Sequence, residues 1–192
     1  MKAVMLSLRP QWCEKIFNGS KSIEVRKSRP SMPTPFTVYV YQTKIKFKVK
    51  NWQENFQSIV FTPNGGVEDG NGKVIGSFVC DRIDEIKPDL EYYSDGYDID
   101  DDRLAETCLT REQLREYGNG VTLYGWHITA PKLYDKPKEL GEFVKPCDWN
   151  YDCCTCKRAV YELTKAEAKL FYGCDREITR PPQSWCYVEE LQ

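Results

Sequence analysis

Residues Pro10 to Arg26 leave the chain little freedom. A short helix must stop at Gly19 and hand over directly to a strand carrying three ionisable side chains. Pro10 suits a first helical turn, where its missing N–H would have no partner anyway. Trp12, Cys13, Ile16 and Phe17 recur at helical spacing and face a core. Gly19 sits where a helix C-terminus favours positive φ. Ser20 to Arg26 then alternates as a strand. In strict alternation Glu24 and Arg26 share one face with Ser22, while Lys21 points away with Ile23 and Val25. Lys21 joins the other two only if it lies in the turn before regular pleating, or if a bulge intervenes.

The pattern Gly19-x-Lys21-x-x-Glu24-x-Arg26 resembles the GxKxxExR signature of the ASCH domain family. So do Leu6-Ser7-Leu8-Arg9-Pro10 before it and Gly72-Lys73-Val74-Ile75-Gly76-Ser77-Phe78 after it. Gly125-Trp126-His127-Ile128 and Pro137-Lys138-Glu139-Leu140 extend the likeness over roughly residues 1–141. The resemblance implies an α+β protein, a PUA-like β-barrel with flanking short helices. It also implies RNA or nucleotide binding in a cleft beside the motif, with Gly19, Lys21, Glu24 and Arg26 at the ligand. Some small members of the family are amidohydrolases that deacylate acetylcytidine, and some are ribonucleases. The deacylating members pair the motif lysine with a threonine where this chain has Glu24. They also use a glutamate ahead of the late helix, and Glu106 lies near that place here, just ahead of Thr110. Lys21, Glu24 and Glu106 are therefore the catalytic candidates of that alternative.

The residues themselves admit three readings of the motif. In a binding site, Lys21 and Arg26 contact phosphate or a base edge and Glu24 holds Arg26 in place. In an enzyme, Lys21 must lose its proton. Desolvation and a neighbouring arginine push that way, while a close carboxylate opposes it. The third reading is an internal salt bridge that closes the helix–strand turn, and a buried, fully paired Lys21 would favour it.

Net charge carries no argument for nucleic acid, because it is only -2. Its distribution says more. Residues 1–50 hold eleven Lys or Arg against two acids, and residues 81–116 hold thirteen acids against five bases. This asymmetry fits a polyanion-binding side opposite an acidic one, or two segments that neutralise each other. No run approaches the ~18 apolar residues of a membrane helix, and Arg9-Pro10 interrupts the first apolar stretch too early for a signal peptide. The expectation is a soluble, cytoplasmic protein.

Along the rest of the chain, Lys2 to Leu8 is apolar on both faces and reads as a buried strand. Arg29 to Pro35 is a proline-rich loop suited to wall a cleft. Phe36 to Thr43 is a strand, followed by Lys44, Lys46, Lys48 and Lys50 on one face of a period-two run. That run is a basic ribbon for phosphates or an edge strand protected by lysines. Asn51 to Gly72 is a hairpin or loop insertion, Lys73 to Ile83 a strand and Asp84 to Asp102 an acidic loop. Thr110 with Gln113 forms a capping box for a helix to Tyr117, stopped by Gly118-Asn119-Gly120. Val121 to Ala130 is a strand with the single histidine, His127, read as structural.

Residues 142–192 form a Cys-rich C-terminal extension expected to pack on the barrel, ending in an apolar strand. Cys153 and Cys156 have the CxxC spacing that grips one ion from a tight turn, and Cys147 and Cys174 complete four ligands. Cys154 or Cys186 could replace one of them. Soft thiolates point to zinc, with iron–sulfur behind it; buried or paired cysteines are the alternative.

Overall fold

The computed structural model describes residues 1–44, 59–61, 67–89, 96–146 and 176–191. The first strand, β1 (Lys2–Leu8), is buried at six of its seven positions. Its two apolar faces serve two cores. Val4, Leu6 and Leu8 pack into one with α1 (Pro10–Phe17). Ala3 and Met5 pack into another with Phe143 and Ile178. The proline start of α1 is as expected, and the chain leaves the helix through Gly19 at φ +80°. Strand β2 (Ile23–Arg26) follows, then β3 (Phe36–Gln42).

A small antiparallel ribbon, β4 (Ile59–Phe61) with β5 (Val67–Asp69), realises the hairpin expected between Asn51 and Gly72. Strand β6 (Val74–Ile86) outruns its expected end. Helix α2 (Asp101–Thr107) follows the acidic stretch, its N-cap Asp100 accepting from Arg103 N. In α3 (Arg111–Gly118) the capping box is present in both directions, Gln113 N to Thr110 Oγ1 at 3.1 Å and Thr110 N to Gln113 Oε1 at 3.0 Å. Asn119 at φ 50° and Gly120 at φ 78° stop it. Strand β7 (Leu123–Lys138) continues past Pro131, where the left-handed φ of +46° at Ala130 and register shifts opposite β6 absorb the ring as a bulge. A 3₁₀ turn (Leu140–Glu142) and strand β8 (Trp185–Glu189) complete the described elements.

The main sheet is mixed, in the order β2-β7-β6-β3-β1-β8. β1 runs parallel to β3, and the other neighbours are antiparallel. The closed barrel that the resemblance implies is not formed: among the described residues no ladder joins β2 to β8. Side chains cross the seam instead. Arg26 Nη2 donates to Ser7 O at 2.8 Å and Nη1 to Ser184 Oγ at 3.3 Å. Trp185 Nε1 donates to Ser28 Oγ at 3.0 Å. A guanidinium between two edges holds them wider than the ~4.8 Å spacing of a ladder. The architecture is thus α+β, an open curled sheet with short helices. The apolar strand near the C-terminus pairs with β1 from Lys2↔Glu189 to Leu6↔Trp185.

Candidate functional site

An open cleft of about 1150 Å³ lies over the helix–strand junction. Its floor is the charged motif. Lys21 lies in the turn before β2, with its N–H on Lys15 O at 2.9 Å, while pleating begins at Ile23. The turn is what brings Lys21 round to Glu24 and Arg26, as parity required. Lys21 Nζ lies 3.3 Å from Glu24 Oε2, and Arg26 Nε lies 3.0 Å from Glu24 Oε1. Lys21 is 2% exposed and Glu24 6%, so one carboxylate is shared between two cations in a nearly dry setting.

Two further groups complete Lys21. Its ammonium donates to Thr107 O at 2.5 Å, a carbonyl at the C-terminus of α2. Such carbonyls have no partner within their own helix, and the helix dipole favours a cation there. The ammonium also stands 5.1 Å from the centroid of the Trp12 ring, within cation–π range. Lys21, Glu24 and Arg26 are therefore brought together as one chain of ion pairs, in which Arg26 Nε lies at ion-pair distance from Glu24 without a well-aligned hydrogen bond. Beneath it, burial and then the Glu24 charge push the Cys13 thiol up, which keeps it neutral and inert.

The other candidates divide. Lys44 reaches the cleft and packs across Gly72, whose added Cβ would fall 2.4 Å from Lys44 Cε. Lys46 and Lys48 lie outside the described residues, as do Cys147, Cys153, Cys156 and Cys174. Glu106 does not line the cleft. Its side chain is exposed, and its backbone carbonyl accepts from Ser22 N at 3.1 Å. His127 lies apart as well, its Nε2 2.8 Å from Asp84 Oδ2, and Asp84 also pairs with Arg82 and Arg103. Cys186 belongs to β8 and packs on the second core, its thiol pushed up by burial. Among the described residues no cluster of three or more metal-ligating side chains occurs.

Several cleft residues carried no clear sign in the sequence. Trp12 reads as core by spacing, yet it is half-buried and shows the cleft a ring. Tyr117, at the end of α3, hangs over the lip with 39% exposure. Burial pushes its phenol up, against the pull of the nearby Arg26 charge, so that it stays protonated. The proline-rich wall is Thr179 to Gln183 rather than Arg29 to Pro35. Ser7 Oγ fixes this wall by donating to Pro182 O at 2.7 Å. The earlier loop packs instead on β8, with Ser31 N donating to Tyr187 Oη at 2.8 Å.

Among the described residues no helix is long and apolar enough to cross a membrane. No protein-family model matches the chain, and no curated protein matches it. Solved structures do. The crystal structure of ASCH from Zymomonas mobilis superposes with a TM-score of 0.51 at 15% identity, covering 98% of this chain and 88% of that one. A tyrosine-to-phenylalanine variant of the Zymomonas protein gives 0.50 at 15% identity, covering 99% and 92%. A serine-to-alanine variant gives 0.50 at 15%, covering 98% and 89%. The motif in its turn, the order of the strands around it and these superpositions agree that the chain has the ASCH fold.

Proposed function

We propose that this is a cytoplasmic RNA- or nucleotide-binding protein whose ligand lies in the cleft over the Lys21–Glu24–Arg26 chain. The observation that carries the reading is the half-buried ring of Trp12 exposed in an open cleft beside a fixed line of buried charges. An aromatic face accepts any base. Lys44, with Lys46 and Lys48 beyond it, supplies phosphate contacts, and Arg26 keeps the floor rigid from Glu24 to Ser7. In this reading the motif shapes the site and the rim makes most of the ligand contacts. The curled sheet is a PUA-like barrel opened at one seam. Residues 142–192 form its Cys-rich extension, in which Cys147, Cys153, Cys156 and Cys174 bind zinc.

Titration with uridine monophosphate and a short single-stranded RNA tests the cleft. Trp12→Ala is expected to weaken both by about tenfold, in line with the ~1–3 kcal/mol of one stacked base. Lys44→Glu is expected to weaken the RNA and to flatten its salt dependence, and salt-independent binding would count against the phosphate contacts. Metal analysis of the purified protein should find one zinc per chain, and a chelator should lower its stability; a metal-free protein of unchanged stability removes the zinc.

The alternative is deacylation of an acetylcytidine-type nucleoside, or ribonuclease action. Deacylation with Lys21 as nucleophile or base would need it as a free amine, and its carboxylate partner at 3.3 Å works against that. Wild type and Lys21→Ala are both expected to leave acetylcytidine unchanged. Turnover by wild type that disappears in the variant would make the protein an amidohydrolase.

A further inference from the structure

We infer that single-stranded nucleic acid leaves the cleft over Tyr117 and runs along the loop 27–31, so that the protein binds a strand of several nucleotides and not only one. This rests on the cleft reading above. Tyr117 is the point of continuity, because its ring is part of the cleft lip and also lies under Lys27, whose Nζ is 5.4 Å from the centroid. Two residues further on, the Arg29 guanidinium stands 5.7 Å from the Tyr124 ring. Lys27, Ser28 and Arg29 are exposed, and among the described residues neither cation has an acidic partner.

The loop is pinned for this role. Ser28 accepts from Trp185 Nε1, and Ser31 binds the Tyr187 hydroxyl at 2.8 Å. Trp185 and Tyr187 stand edge to face with centroids 5.4 Å apart. The result is a fixed backbone with cations on its outer side and four partly exposed aromatic rings beneath it. Aromatic faces and backbone-tracking cations are the two elements that non-specific single-strand binding requires.

The local charge balance points the same way. Among the described residues, no base of 1–50 forms an ion pair with an acid of 81–116. Among the described residues three acids of that segment pair with its own bases, Asp84 with Arg82 and Arg103, Glu85 with Lys87 and Asp101 with Arg111. Among the described residues Lys27 and Arg29 meet no acid of that segment, and the cations of the loop stay available to a polyanion.

The test uses the full chain with uridine monophosphate and labelled oligouridylates of two, four and eight nucleotides. Affinity should rise at least about tenfold from two nucleotides to eight. Lys27→Glu with Arg29→Glu should abolish that gain, leave mononucleotide affinity unchanged and reduce the salt slope by about 1.4, for two phosphate contacts on a single strand. Lys27→Gln with Arg29→Gln, checked for an unchanged thermal midpoint, should show a smaller loss in the same direction. Equal affinity for two and eight nucleotides overturns the inference, and so does a length gain that survives the charge reversal. A mononucleotide that does not bind, with octanucleotide binding lost in the loop variant but not in Trp12→Ala, would remove the cleft reading and leave the loop surface standing.

Discussion

Glu24→Leu should be among the most damaging single changes in this protein. It leaves Lys21, its side chain 1% exposed, without the one carboxylate it pairs with among the described residues, and it takes from Arg26 its link to the floor. Breaking a buried pair from one side costs on the order of 3–5 kcal/mol, because the remaining charge is stranded in a poor solvent. Set against a total stability of roughly 5–15 kcal/mol, this lowers the melting temperature by about 10 °C for a chain of this size. The decisive comparison is Lys21→Met with Glu24→Leu. Removing both charges takes away the stranded cation, so the double variant should recover much of the loss. Denaturant unfolding of the two variants beside wild type measures the difference. A single variant within about 1 kcal/mol of wild type would mean that water reaches the pair.

Trp126→Ala should cost about as much, for a different reason. Trp126 is fully buried, edge to face with Phe36 at 5.9 Å and tilted against Trp185 at 6.0 Å. Removing a core tryptophan costs about 3–5 kcal/mol in lost burial and cavity. Trp126→Phe should cost far less, about 1 kcal/mol. Nε1 has no hydrogen-bond partner among the described residues, and an unpaired buried donor carries a penalty of about 1–3 kcal/mol that phenylalanine removes. If both variants lose the same stability, shape alone sets the position. Trp185→Ala, at a half-buried site, should fall between them and should couple to Trp126 in a double-mutant cycle.

Much of the site's framework was legible because it is local. The helix from Pro10, the stop at Gly19, the capping box of Thr110 and the two-sided burial of β1 follow from neighbouring residues. Parity even stated the condition under which Lys21 meets Glu24, and the turn meets it. What escaped was long-range or carried by the backbone. The Thr107 carbonyl completes Lys21, and any residue there would offer the same group. The cleft wall comes from Thr179 to Gln183, and local pattern could not choose between two proline-rich stretches. Closure of the sheet depends on which edge meets which, and here an arginine occupies the gap. Pro131 read as the end of a strand because a bulge at Ala130 cannot be foreseen from composition.

The pairing of β1 with β8 also sets the order in which this molecule can be made. Ser7 and Pro182, 175 residues apart, meet at the wall of the cleft. At roughly 5–20 residues per second, a ribosome needs about 10–35 s to travel that distance. Through this interval β1 offers one unpaired backbone edge, bordered by side chains destined for two cores. Such an edge invites pairing with other chains, and contacts this distant are slow to form. The middle of the chain is therefore made before the wall of the cleft, which is complete only once Thr179 to Gln183 and the strand that begins at Trp185 have emerged.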